Sequence, residues 1–388
     1  MLHTDIPTEA TVRELAGRLE PYCVSIYLPT SPLPTETELA RIELENQLST
    51  AVHRLTLAGA DRRQVSDFER SIADLVDDRP FWMYQSETLA IFARPGEVRT
   101  FRLPNRLPAA VEVADRFYIK PLIASVSFTQ SAFVLALSQN AVRLIEITTS
   151  AGAYPVEVPE LPTDAASAVG LDSISGRSPQ GRIQGSECQK VRLRQYARAV
   201  DAAIRPLLTR LEVPLILAAA EPLQGIFRAV NSYPHLTAEV IRGNPDEARD
   251  GDLAAAARSI LEARYADRLR QLKAHIIDRV PQGRAVTDLS DIARAVTFGA
   301  VDTLVVDIDR VIPGTLDDAS GAITFAITSG SDAEGPGSPS GFGDTAPHYG
   351  VVDEIVRRAL SSGARVLGVA AADVPGGGEA AASTRFAA

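Results

Sequence analysis

The sequence predicts a multidomain α/β protein of the α+β kind, and three observations carry that prediction. Its 388 residues exceed one typical domain and are enough for two or three separate cores. Amphipathic helical periods alternate with short apolar runs bounded by Gly, Pro, Asn and Ser along most of the chain. The composition, 45% hydrophobic and 23% charged, is that of an ordinary folded globular protein.

Residues 1 to 122 read as a mixed N-terminal domain. CVSIYLP is a strand, ETELARIELENQLSTAVHRL a long amphipathic helix and RRQVSDFERSIADLVD a second one. FWMYQSETLAIFARPGEVRTFRLP alternates as strands, and Pro104 and Pro108 punctuate its end. Residues 123 to 245 form a central domain that opens with VSFTQSAFVLALSQNAVRLIEITT, two apolar strands hairpinned around Ser138, Gln139 and Asn140. A basic helix follows, then strands VPLILAAA and HLTAEVI. Residues 246 to 388 begin with the helix DLAAAARSILEARYADRLRQLKAHII. Two helix-strand pairs come next, LSDIARAVTFGAVDTLVVDID and VVDEIVRRALSSGARVLGVAA, with a last strand near Ala382 to Phe386. That alternation implies a C-terminal α/β sandwich. Residues 329 to 348 are rich in Gly, Ser and Pro without apolar spacing, which predicts a flexible insertion.

No stretch approaches the roughly 18 apolar residues of a membrane span. The start, MLHTDIPTEATVREL, lacks the basic-then-apolar layout of a secretory signal. Two cysteines, Cys23 and Cys188, supply neither a disulfide framework nor a metal cluster, so a reducing cytoplasm is expected. A net charge of -10 argues against general affinity for nucleic acid and leaves room for one local basic surface.

Several motifs invite chemistry and fall short of it. Asp307 and Asp309 in LVVDIDRV resemble the opening of a magnesium-dependent phosphohydrolase, but no lysine follows Lys273 to complete such a site. PGGGEAA at Pro375 to Ala381 lacks the Lys-Ser/Thr of a phosphate-binding loop and reads as a glycine turn. His3, His53, His235, His275 and His348 show no ligand spacing, so no metal site and no cofactor are expected. There is no Gly-x-Ser-x-Gly elbow, and Cys188 has no evident histidine partner.

One segment stands out. From Thr163 to Gly185 there is no regular apolar period, and Gly176, Gly181 and Gly185 widen the backbone's choices, so an exposed mobile loop is expected over 170 to 185. Arg177, Arg182, Gln180 and Gln184 are long donors able to reach phosphate, ribose or bases. In the helix that follows, Leu193, Ala197, Val200, Ile204 and Leu207 form one apolar stripe, flanked by Lys190, Arg194, Arg198 and Arg205. Between Gly176 and Arg210 eight cations, Arg192 among them, face only Glu187 and Asp201. That asymmetry inside an acidic chain makes Arg177, Arg182, Lys190, Arg192, Arg194 and Arg198 candidate RNA-binding residues.

This layout resembles the archaeo-eukaryotic class-one peptide release factor and Pelota family, and its bacterial relatives above all. QGSECQKVRLRQYARAVDAAIRPL followed by VPLILAAA resembles that family's loop, long basic helix and buried strand. TDLSDIARAVTFGAVDTLVV and YGVVDEIVRRALSSGARVLGVA leading to AASTRF resemble its C-terminal domain. The resemblance covers residues 125 to 388. It implies an RNase H-like central domain and a C-terminal α/β/α sandwich.

Two hallmarks are missing. There is no Gly-Gly-Gln, since Gln180 and Gln184 precede glycine instead of following a pair, and there is no codon-reading Asn-Ile-Lys-Ser. Stop-codon decoding is therefore not implied. What the resemblance does imply is a ribosome-associated, cytoplasmic factor whose basic loop and helix meet rRNA in a tRNA site, during rescue, dormancy or stress. Contact with tRNA and a translational GTPase partner stay open, as does the oligomeric state. A non-enzymatic role is expected. The alternatives are a peptidyl-tRNA hydrolase using Gln180 or Gln184, a small-molecule hydrolase and a protein-interaction scaffold.

Overall fold

The structure, a computed structural model, describes residues 2–127, 131–148, 152–170, 186–209, 211–326 and 349–386. The first elements are α1 (Glu9–Ala16), β1 (Cys23–Pro29), α2 (Thr37–Leu57), α3 (Arg62–Asp77), α4 (Arg79–Trp82), β2 (Thr88–Arg94), β3 (Glu97–Leu103), β4 (Ala110–Ala114) and α5 (Lys120–Ser127). The four strands make an antiparallel sheet in the order β3-β2-β1-β4. β1 is buried on both faces, which is why it reads as a continuous apolar run and not as an alternation. One face packs under α2 and α3 through Leu44, Leu55, Phe68 and Ile72.

α3 starts where a capping box dictates, with Asp61 Oδ1 accepting from Gln64 N at 2.8 Å and Gln64 Oε1 from Asp61 N at 2.9 Å. Phe81 and Trp82, expected at the head of a strand, lie instead in the short α4 turn. Asp78 accepts from Phe81 N at 3.1 Å and Pro80 sits in the first turn, so start signals override aromatic strand preference.

The central unit comprises β5 (Ala132–Leu137), β6 (Val142–Ile147), β7 (Ala153–Val156), α6 (Ser186–Leu208), β8 (Leu215–Ala218), α7 (Leu223–Val230) and β9 (Leu236–Ile241). Its sheet runs β7-β6-β5-β8-β9, with an antiparallel meander on one side and two strands parallel to β5 on the other. This is the RNase H-like arrangement. The hairpin turn is held by Ser138 Oγ, which accepts from Asn140 N at 2.9 Å and Ala141 N at 3.0 Å. α6 and α7 cover one face of the sheet.

The remaining elements are α8 (Asp250–Ile277), β10 (Ala285–Val286), α9 (Leu289–Thr297), β11 (Val301–Asp307), β12 (Gly314–Leu316), β13 (Ile323–Phe325), α10 (Val351–Ser361), β14 (Arg365–Val369) and β15 (Ala380–Thr384). The sheet β10-β15-β11-β14 lies between α9 and α10 on one side and the end of α8 on the other, an α/β/α sandwich. α8 has no single apolar stripe because it serves two sheets. Leu253, Ala254 and Ala257 pack on the central sheet, Leu269 and Ile276 on the C-terminal one. α5 packs on β14, and one continuous apolar cluster runs from Tyr27 and Phe92 through Leu122 to Ile355 and Val356. The N-terminal and C-terminal sheets thus share a core, while the central sheet has its own. The insertion at 329–348 lies outside the described residues. Among the described residues no helix is long and apolar enough to cross a membrane.

Candidate nucleic-acid interface

α6 is 23 residues long and amphipathic by construction. Leu193, Tyr196, Ala197, Val200, Ile204 and Leu208 are buried against Phe133, Leu135, Leu217 and Phe227. Leu207, expected on this stripe, is only half-buried, and Leu208 takes the deep position as the 3.6-residue period drifts. Burial, with Asp164 and Asp246 near by, pushes the Tyr196 hydroxyl well above its usual pKa.

The acid that would offset the basic face is turned inward. Asp201 is buried, and its Oδ1 accepts from Ser232 N at 2.9 Å while Oδ2 accepts from Ser232 Oγ at 2.8 Å. Arg205 bends to the same place, donating to Ser232 Oγ at 2.9 Å and Asp201 Oδ2 at 3.4 Å. Both side chains therefore fasten α6 to the segment after α7.

Lys190, Arg194 and Arg198 are exposed, and Arg192 is half-exposed on another flank. At i, i+4 and i+8 the first three form one ridge, with heads spaced about 6 Å apart along the axis. Among the described residues neither Arg194 nor Arg198 has a hydrogen-bond or ion-pair partner. A ridge of this kind suits a run of phosphates.

The other sequence candidates scatter. Arg177, Arg182, Gln180, Gln184, Gly176, Gly181, Gly185 and Arg210 lie outside the described residues. Asp307 ends β11 buried and accepts from Asp309 N at 3.0 Å, which makes a local turn. Gly376 and Gly377 take φ of 87° and 73°, as a glycine turn requires. Among the described residues no three of His, Cys, Asp or Glu are grouped to hold a metal ion. A cleft of about 860 Å³ opens between α8 and the start of β9, near Glu212, at the end of α6 opposite the ridge. Its charges partly satisfy one another, Arg264 meeting Glu239 at 2.9 Å.

Sequence reading missed Glu146. It sits within β6, 1% exposed, and its carboxylate accepts from His3 N at 2.9 Å and Thr4 N at 2.8 Å. The one signal for it was an acid inside the otherwise apolar run LIEI.

The central unit thus joins an RNase H-like sheet to a helix that carries a cationic ridge. Residues 129–267 match the bacterial archaeo-eukaryotic release factor family 11, a stretch that takes in the central sheet, α6, α7 and the first part of α8. No curated protein sequence matches the chain. Among solved structures it is similar to the archaeal translation termination factor aRF1, at 15% identity over 98% of this chain and 99% of that one, TM-score 0.25. It is similar to a chain of ribosome-bound archaeal Pelota with ABCE1, at 14% identity over 77% and 78%, TM-score 0.40. It is also similar to Dom34 of S. cerevisiae, a translation termination-like factor interacting with Hbs1, at 8% identity over 78% and 74%, TM-score 0.40.

Proposed function

We propose that this protein is a ribosome-associated factor that sets the cationic ridge of α6, and the segment 171–185 ahead of it, against RNA in a tRNA site during rescue, dormancy or stress. The observation that carries the reading is the exposed ridge of Lys190, Arg194 and Arg198 within the stretch that matches the release factor family, on a chain of net charge -10. An acidic body with one cationic element is attracted to RNA there and repelled elsewhere, which favours a single orientation of approach. A cytoplasmic location, contact with tRNA and a translational GTPase partner belong to the same proposal.

The test is co-sedimentation with ribosomes of Lys190→Glu, Arg194→Glu and Arg198→Glu combined. None of the three lies on the buried stripe, so the variant is expected to fold like the parent and to lose most of its association. Undiminished association of the folded variant would contradict the proposal.

A further inference from the structure

The first residues of the chain belong to neither the N-terminal nor the central unit alone. On one side, Asp5 extends the N-terminal sheet at the free edge of β3. Its N–H donates to Arg102 O at 2.8 Å and its carbonyl accepts from Arg102 N at 3.1 Å. Arg102 Nη1 adds bonds to Leu2 O at 2.8 Å and Tyr84 O at 2.7 Å. His3 Nδ1 lies 3.0 Å from Gln85 O, which requires the tautomer protonated at Nδ1.

On the other side, the same residues grip the central sheet. His3 N–H and Thr4 N–H each donate to one oxygen of Glu146, and the Thr4 hydroxyl donates to Oε1 as well. The His3 ring lies over Tyr154 of β7 with centroids 4.2 Å apart, edge-on to Tyr84 at 5.5 Å. Leu2 and Ile6 pack against the core between α6 and its sheet. A carboxylate buried within a strand is costly unless its lone pairs are met by donors, and these donors come from residues some 140 positions away.

Beside this grip, with Asp5 and Ile6 on its wall, a gap opens between the two units. A cleft of about 510 Å³ divides Thr8, Thr11 and Phe101 from Pro206, Leu207 and Leu211. The N-terminal and C-terminal units, by contrast, share one apolar cluster that contains no residue of the central sheet.

We propose that residues 2–6 and Glu146 form an interdomain latch. Closed, it fixes the central unit and its basic helix against the N-terminal sheet. Open, it leaves the central unit held by chain connections and α8, free to turn as a body. Opening breaks a few hydrogen bonds and one ring stack and exposes the half-buried Leu2 and Ile6, and the polar groups it frees are ones that water can satisfy. The device operates in the free protein and does not depend on ribosome binding.

Spin labels at Arg63→Cys and Ala202→Cys report the N-terminal to central distance, and labels at Arg63→Cys and Ser361→Cys report the N-terminal to C-terminal distance. All three positions are exposed, Cys23 is buried, and Cys188→Ser removes the second thiol. Two variants open the latch by different routes. Glu146→Gln keeps the size but turns an acceptor into a donor facing an N–H, while Thr4→Pro removes a donor outright and lies outside the central sheet should the first fail to fold. Pulsed dipolar spectroscopy is expected to give one narrow distance for each pair in the parent. In both variants the first distribution should broaden while the second stays unchanged. An Arg63–Ala202 distribution that is unaltered in the variants, or already broad in the parent, would overturn the latch. So would disturbance of both pairs, which would make the contact a support of the N-terminal fold.

Discussion

Arg116, just past β4, donates from Nη1 to Glu354 Oε2 of α10 at 2.6 Å, and that bond ties the N-terminal sheet to the C-terminal sandwich. Glu354 is the hub of the joint. Arg357 and Arg358 reach it from the same helix at 2.5 and 2.8 Å, and the Tyr349 hydroxyl donates to it at 2.8 Å. Together with the shared apolar cluster, this makes the two outer units one body and leaves the central unit to present α6.

Replacing Glu354 by Gln is expected to cost about 2–4 kcal/mol, because three guanidiniums lose their common anion. Burial opposes ionisation of this carboxyl, but the donors from Arg357, Arg358 and Tyr349 outweigh it and hold its pKa down to about 2. A folded-state pKa below the unfolded one contributes stability that is present above the ordinary carboxylate range and lost as pH falls towards 2. Denaturant melts of parent and variant between pH 2 and 7 should therefore converge at the acid end. A constant gap across that range would contradict this account.

Asp201→Ala is expected to lower stability by roughly 1–3 kcal/mol, since it strips the buried bonds to Ser232 and leaves a backbone donor unmet. The variant adds net positive charge beside the ridge. Thermal melts read the first effect, and ribosome association at matched fraction folded should not weaken. A stable variant would mean that Asp201 does not fasten α6.

The parts legible in the sequence were those fixed by local rules. α3 was legible from the amphipathic period of RRQVSDFERSIADLVD, and the ridge of Lys190, Arg194 and Arg198 from helical spacing. The parts that were not legible depend on distant partners or on short, weakly patterned segments. β7 escaped because Pro155 demotes a strand, which is tolerated here at the sheet's edge. α7 spans eight residues with Gly225 inside, too few for a period to emerge. Glu146 gave no hint of its partners because His3 and Thr4 lie at the far end of the chain.

No release of peptide from peptidyl-tRNA on ribosomes is expected above background, because the Gly-Gly-Gln on which the resembled family relies is absent from this sequence. A single-turnover assay with labelled peptide reads this directly. Hydrolysis that disappears in Gln180→Ala or Gln184→Ala would overturn it and make the protein an enzyme.

If the ridge of α6 meets RNA phosphates, ribosome affinity should depend steeply on salt. Each phosphate contact steepens the fall of log affinity with log salt by roughly 0.7–0.9. The parent should show a steep slope, and the variant with Lys190, Arg194 and Arg198 changed to Glu a slope shallower by about 2–3. Equal slopes for parent and folded variant would contradict the claim, leaving those three side chains as an ordinary solvated helix face.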